Sequence, residues 1–216
     1  MALRQRLINQ LDSGVTDLGL SVSDQQISQL MEYLFLIQKW NKAYNLTAIR
    51  DPEEMLRLHL LDSLSIYSLV KRMVTGTRLL DVGAGAGLPG LVLAIVEPEY
   101  QVTLLDTNGK KCRFLSQAGI ELGLKNIQVV QNRVEKYQST PLFDGILSRA
   151  FATLKDMTDN AVHLLADGGR FLAMKGRYPQ QEIDELDQQF SFEKAYPLQI
   201  PGLDVERFLI EIAVKK

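Results

Sequence analysis

The sequence predicts an α/β protein, a doubly wound and mainly parallel β-sheet with a helical segment ahead of it. Three observations carry this. From Gly76 onward, short apolar runs of strand length alternate with helix-period stretches, the pattern of repeated βα units. Inside that region Leu79–Gly90 reads as a strand ending in Asp81, a loop with glycine at 83, 85, 87 and 90, and a helix opening near Leu91. The first 70 residues, by contrast, show helical periodicity and no convincing strand.

In chain order, residues 1–12 form an amphipathic helix with Leu3, Leu7, Ile8 and Leu11 on one face, broken at Ser13-Gly14. Ser23 with Gln26 matches a capping box for a second helix, whose apolar side holds Ile27, Leu30, Met31, Leu34, Ile37 and Trp40. A third helix starts near Asp51-Pro52-Glu53 and carries Met55, Leu58, His59, Leu61, Asp62 and Leu64. The strands expected next are 78–82, 101–106, 127–130, 143–147 and 170–174. Helices are expected at 110–122, at 153–165 (stopped by Asp167-Gly168-Gly169) and at 179–188, and Pro89 suits a first helical turn. Two further strands, 190–198 and 207–214, finish the sheet. The division that follows is an N-terminal helical segment, residues 1–75, packed on a ligand-binding domain, residues 76–216.

Composition narrows the function. With 24 basic and 26 acidic residues the net charge is −2, so a general polyanion-coating role is out and any nucleic-acid contact needs a local basic patch. The single cysteine, Cys112, allows no internal disulfide and fits a reducing compartment; a buried structural role is expected for it. Residues 1–12 lack the continuous apolar core of a secretory signal, and no apolar run is long enough to span a bilayer. A cytoplasmic location and no membrane partner are the expectation.

Ligands of such sheets sit beyond the carboxyl ends of the strands. That singles out Gly83–Gly87, Asp106, Arg133-Val134-Glu135, Ser148-Arg149 and Lys175-Gly176-Arg177. Glycines let a ligand approach the main chain, and the following helix start offers free N–H groups. Asp106, after an apolar strand, is placed to accept from ribose hydroxyls. Gly85-x-Gly87-x-x-Gly90 also satisfies the dinucleotide fingerprint, so an NAD-dependent oxidoreductase stays open as an alternative. Three features favour S-adenosylmethionine: the denser Gly83-x-Gly85-x-Gly87 pattern, the helical segment ahead of the nucleotide fold, and the pair of closing strands.

The block Lys39-Trp40-Asn41-Lys42-Ala43-Tyr44-Asn45-Leu46-Thr47-Ala48-Ile49, followed by His59-Leu60-Leu61-Asp62-Ser63, resembles the glucose-inhibited division protein B family. The resemblance continues through Asp81–Gly90, Leu105-Asp106, Arg133-Val134-Glu135, Ser148-Arg149-Ala150-Phe151 and Lys175-Gly176, nearly the whole chain. Ala84 departs from it, standing where a small hydroxyl residue is common. The resemblance implies a seven-stranded, Rossmann-like methyltransferase that uses S-adenosylmethionine to methylate guanine N7 in 16S ribosomal RNA, free or in the small ribosomal subunit. It implies that Gly83 and Leu88 line the cofactor site, that Val134 and Glu135 hold the adenine end, and that Arg149 borders the cofactor. Glu135 reads equally well as a solvated acid at a helix start. A monomer is expected. A non-catalytic RNA-binding assembly factor is the third reading.

Guanine N7 bears a lone pair and no proton, so attack on a sulfonium methyl needs no general base; alignment suffices. The fourth strand ends in Ser148-Arg149-Ala150-Phe151, unlike the Asp/Asn-Pro-Pro-aromatic run of exocyclic-amine methyltransferases. Positioning therefore falls to Arg149 and Phe151. Arg149 is expected on the cofactor carboxylate, an RNA phosphate or guanine O6, since a cation against the ring would oppose the charge that develops there. Phe151 stacks on an exposed base or packs in the core. Lys110, Lys111, Arg113, Arg133, Arg149, Lys175, Arg177 and Arg207 could form one basic rim for RNA. Trp40 and Tyr44, one turn apart, are expected to pack the N-terminal helices onto the sheet. His59 and Asp62 share a helix face, where structural hydrogen bonding is preferred to metal binding.

Overall fold

The computed structural model describes residues 2–150 and 153–215. Its centre is a seven-stranded sheet in the order β3-β2-β1-β4-β5-β7-β6. The strands are β1 (Arg78–Val82), β2 (Gln101–Asp106), β3 (Ile127–Gln131), β4 (Phe143–Arg149), β5 (Leu165–Lys175), β6 (Phe190–Pro197) and β7 (Phe208–Val214). β1 to β5 pair in parallel, and β7 runs antiparallel between β5 and β6. Residues 79–82 and 102–106 are buried without alternation, as expected of parallel strands covered on both faces. From β1 the chain steps outward to β2 and β3, then returns to the other side of β1 as β4. The strand order thus reverses between β1 and β4, where such sheets open a ligand crevice.

The N-terminal helices cover one face. α1 (Ala2–Asp17) runs past the Ser13-Gly14 break that the sequence predicted. Gly14 is a packing residue: a Cβ there would lie 2.7 Å from the Leu61 side chain. The buried face is accordingly Leu7, Leu11, Gly14 and Val15, and Leu3, expected inside, is exposed. α2 (Asp24–Tyr44) starts with the predicted capping box: Gln26 N–H donates to the Ser23 hydroxyl, and Ser23 N–H donates to the Gln26 side chain. Asp51 caps α3 (Pro52–Met55). The chain then runs through a π-helical turn at Leu56–Leu61 into α4 (Asp62–Leu64) and on to α5 (Tyr67–Met73). Trp40 packs edge-on against Tyr44, with ring centroids 5.0 Å apart, and against Phe114 of the helix beyond β2.

Of the remaining helices, α6 (Gly90–Val96) has Pro89 as its N-cap, one position before the expected first turn. α7 (Gly109–Glu121) is capped by Asn108 and buries Cys112. α8 (Leu154–Ala161) ends sooner than predicted: 162–164 is a 3-10 turn and Leu165 already belongs to β5. Asp167-Gly168-Gly169 therefore lies within the strand rather than ending the helix. The register of β5 on β4 shifts between Phe143 and Gly145, Gly168 has φ +76°, and a Cβ on Gly169 would crowd Asp144 O at 3.0 Å. The glycines serve this bulge. α9 (Gln180–Asp184) is shorter than the predicted 179–188.

Candidate active site

Polar contacts from three elements hold the glycine loop after β1. Asp81, at the end of β1, is buried and accepts from Gly90 N–H at 2.8 Å, satisfying a free donor at the start of α6. Asp106, at the end of β2, accepts from Gly85 N–H at 2.9 Å through one oxygen and from Asn108 N–H at 2.8 Å through the other. Tyr33, fully buried on α2, donates its hydroxyl to Ala86 O. Gly83, Gly85 and Gly87 all have positive φ, and a Cβ on Gly87 would strike Leu115, Leu91 and the Tyr33 hydroxyl. Here glycine is required by conformation and by close packing together.

Beyond β1, β2 and β3 the loop opens onto a cavity of about 200 Å³ lined by Gly83, Asp106, Asn132, Arg133, Val134 and Glu135. The sequence named five of these six. Val134 is buried; Glu135 is exposed and lies 3.7 Å from Arg133. Leu88, expected as an apolar wall of this site, is buried in the main core and is not among the cavity's lining residues. Gly85 and Gly87 shape the loop behind the cavity.

A second cavity, of about 410 Å³, lies beyond β4 and β5 under the N-terminal helices. Its walls include Ile49, His59 and Asp62 from the helical segment, Arg149 from the end of β4, Lys175 from the end of β5, and Arg207. Asp62 is buried between two arginines: Arg149 Nη1 donates to one oxygen at 3.0 Å and Arg207 Nε to the other at 3.3 Å. Arg149 Nη1 also donates to Leu58 O at 2.9 Å. The groups expected to meet Arg149 were a cofactor carboxylate, a phosphate or O6, whereas within the chain it meets Asp62. Lys175 pairs with Glu182 at 2.7 Å. His59 contacts Leu58 O through Nδ1 and the Thr47 hydroxyl through Nε2, each at 3.0 Å. Burial, with Arg149 adding to it, pushes the His59 pKa down to about 4, so the ring is neutral at physiological pH. Ala150 closes this wall with φ +53°, a left-handed conformation uncommon for a residue with a Cβ. Phe151 lies outside the described residues.

Of the basic residues expected to form a rim, all but Arg207, which precedes the antiparallel β7, lie at or after the carboxyl end of a parallel strand. Lys110, Arg113, Arg133 and Arg177 are exposed, while Lys175 and Arg207 are half-buried and engaged with carboxylates. Lys111 lies 3.9 Å from Asp106. The sequence did not single out Tyr33, nor the contacts of Asp62 with both arginines. The one sign of the latter was that Asp62 falls in the block His59–Ser63, which carries part of the family resemblance.

The sheet order, the antiparallel closing pair and the pinned glycine loop define the S-adenosylmethionine-dependent methyltransferase fold. Among solved structures the chain resembles TrmN from Thermus thermophilus (TM-score 0.56, 20% identity, 74% of this chain and 53% of that one). It also resembles the N-methyltransferase NodS from Bradyrhizobium japonicum in complex with S-adenosyl-l-homocysteine (TM-score 0.57, 16% identity, 84% and 99%). Sequence relatives are far closer. Residues 26–210 match the family GidB, rRNA small subunit methyltransferase G. Over 206 residues the chain is 50% identical to ribosomal RNA small subunit methyltransferase G of Psychromonas ingrahamii, covering 95% of this chain and 98% of that protein. Over 210 residues it is 49% identical to the Escherichia coli protein of the same name, covering 97% and 100%. The chain belongs to the rRNA small subunit methyltransferase G family and is a methyltransferase, which sets aside the oxidoreductase and the non-catalytic factor. No helix among the described residues is long and apolar enough to cross a membrane.

Proposed function

We propose that this methyltransferase, acting as a monomer, transfers the methyl group of S-adenosylmethionine to N7 of a guanine in 16S ribosomal RNA. The observation that carries the reading is the pair of cavities at the carboxyl edge of the sheet on either side of the β1–β4 switch point. One fits the adenosine end of a cofactor and the other has room for a nucleobase. At about 200 Å³ the first is smaller than the about 300–1,000 Å³ usual for a drug-sized ligand, so it takes a part of the cofactor rather than the whole.

The residues there fit that group. Each Asp106 oxygen accepts one backbone N–H, and a carboxylate has about four acceptor sites, so capacity remains for the two ribose hydroxyls. Gly83 gives close backbone approach, Val134 an apolar wall, and Glu135 an acceptor for the adenine amine. S-adenosylmethionine, held by Gly83, Asp106, Val134 and Glu135, would supply an electrophilic methyl for the N7 lone pair, its sulfur keeping the carbon–sulfur pair and one positive charge passing to the guanine ring. The second cavity suits an acceptor that surrenders no proton. Both His59 nitrogens are engaged and Asp62 is held by two cations, so neither is poised to act as a base.

Residues 1–75 serve as a helical cover whose Tyr33 fixes the cofactor loop and whose His59 and Asp62 wall the acceptor cavity, with residues 76–216 as the methyltransferase domain. Lys110, Arg113, Arg133 and Arg177 meet RNA phosphates, while Lys175 and Arg207 shape the acceptor cavity. The test is Asp106→Ala. S-adenosylmethionine affinity is expected to fall at least about ten-fold, the loss of a charge-assisted hydrogen bond, with the circular dichroism spectrum kept. An unchanged affinity would remove Asp106 from the site.

A further inference from the structure

The acceptor cavity is built to limit its own positive charge. Three cations border it: Arg149, Arg207 and Lys175. Asp62, 2% exposed, sits between the two arginines, and Glu182 takes Lys175. Among the described residues, two carboxylates against three cations leave one net positive charge. His59, in the same wall, stays neutral because of its burial and because of Arg149. Holding the N-terminal helices to the sheet would not by itself require a buried carboxylate to face the cavity. Phosphates favour a cationic site, but a base that acquires a positive charge on methylation is disfavoured by one.

We infer that Asp62 is a positioning and charge-balancing residue of the acceptor cavity: it holds Arg149 and Arg207 at its rim and offsets their charge where the guanine ring becomes cationic. This rests on the guanine-N7 reading above. Asp62 acts through the arginines and through space, and takes no proton. Its removal should therefore spare the binding of unmethylated RNA while weakening the binding of RNA whose base already carries the charge.

The test uses the full-length protein and 16S ribosomal RNA before and after exhaustive methylation by the parent enzyme. Mass analysis of the methylated RNA comes first; absence of N7-methylguanine there would fail the functional reading itself, independently of Asp62. Given that product, the ratio of dissociation constants, methylated over unmethylated RNA, is measured for parent, Asp62→Asn and Glu182→Gln. For Asp62→Asn the ratio is expected to rise about ten-fold, the scale of one unit charge acting through a partly screened interior. In the same variant kcat should fall while KM for RNA stays level or falls, and Asp62→Glu, which keeps the charge, should restore both. Glu182, nearer solvent, should move the ratio in the same direction by about two- to three-fold in keeping with stronger screening, and it supplies the reading should Asp62→Asn fail to fold. An unchanged ratio in a folded variant, or a rise in KM equal to the fall in kcat, would overturn the assignment and leave Asp62 a structural tie.

Discussion

Asp81 and His59 show how single buried groups set conflicting demands. Burial pushes the Asp81 carboxyl up to about 7, against the Gly90 N–H and Arg149, which pull it down. The folded chain thus holds that proton more tightly than the unfolded chain, whose value is 3.8. The contribution is complete below the unfolded value and is lost as pH rises through about 7. His59 runs the other way: its contribution is present above 6.5 and lost as pH falls through about 4. Between these values the two slopes oppose each other. Urea unfolding from pH 4 to 8 should show it: relative to the parent, Asp81→Asn gains stability as pH rises, and His59→Gln gains it as pH falls. Each differs by at most about 1.4 kcal/mol per pH unit. Profiles parallel to the parent's would contradict the assignment. At this scale the candidate site was partly legible. Gly83, Asp106, Val134 and Glu135 follow strand ends, and topology brings strand ends together. Tyr33 and Asp62 were not legible as site residues, because their partners Ala86 and Arg207 lie 53 and 145 residues away.

Among the elements, α2 has the clearest dual role. Gln26 closes the capping box with its amide oxygen, and its amide nitrogen donates to Ile95 O at 3.1 Å and Val96 O at 2.9 Å. Those carbonyls end α6 and lack helical partners further on. One side chain thus caps the start of α2 and the finish of α6, tying the N-terminal helices to the helix behind the glycine loop. Ser23→Ala should cost about 1 kcal/mol, the usual loss of an N-cap. Gln26→Ala should cost about 2 kcal/mol, since it also leaves carbonyls unpaired. Denaturant unfolding compares the two, and equal losses would show that the contact with α6 is idle. The strands were readable because buried parallel strands are continuous apolar runs. The boundaries that failed lie at Gly14 and Gly169, where a Cβ would meet the distant Leu61 and Asp144, and at Gly168, whose positive φ serves the bulge in β5. The π turn at Leu56–Leu61, which Asp62 directly follows, had no local sign.

Across the whole molecule, the sheet edge and the helical cover divide the labour. The sheet supplies the glycine loop, Asp106 and the cavity at Val134-Glu135. The cover supplies Tyr33 to the loop and His59 and Asp62 to the second cavity, and one core runs from Leu7 through Leu91 to Leu209. With a net charge of −2, contact with a polyanion needs a local set of cations, and Arg149, Lys175 and Arg207 border the second cavity. The most direct test of the whole account is labelled methyl transfer from S-adenosylmethionine to 16S ribosomal RNA, followed by nuclease digestion and mass analysis of the nucleosides. N7-methylguanosine as the labelled product is the expected result; label on an exocyclic amine, on a ribose or on no nucleoside would contradict it.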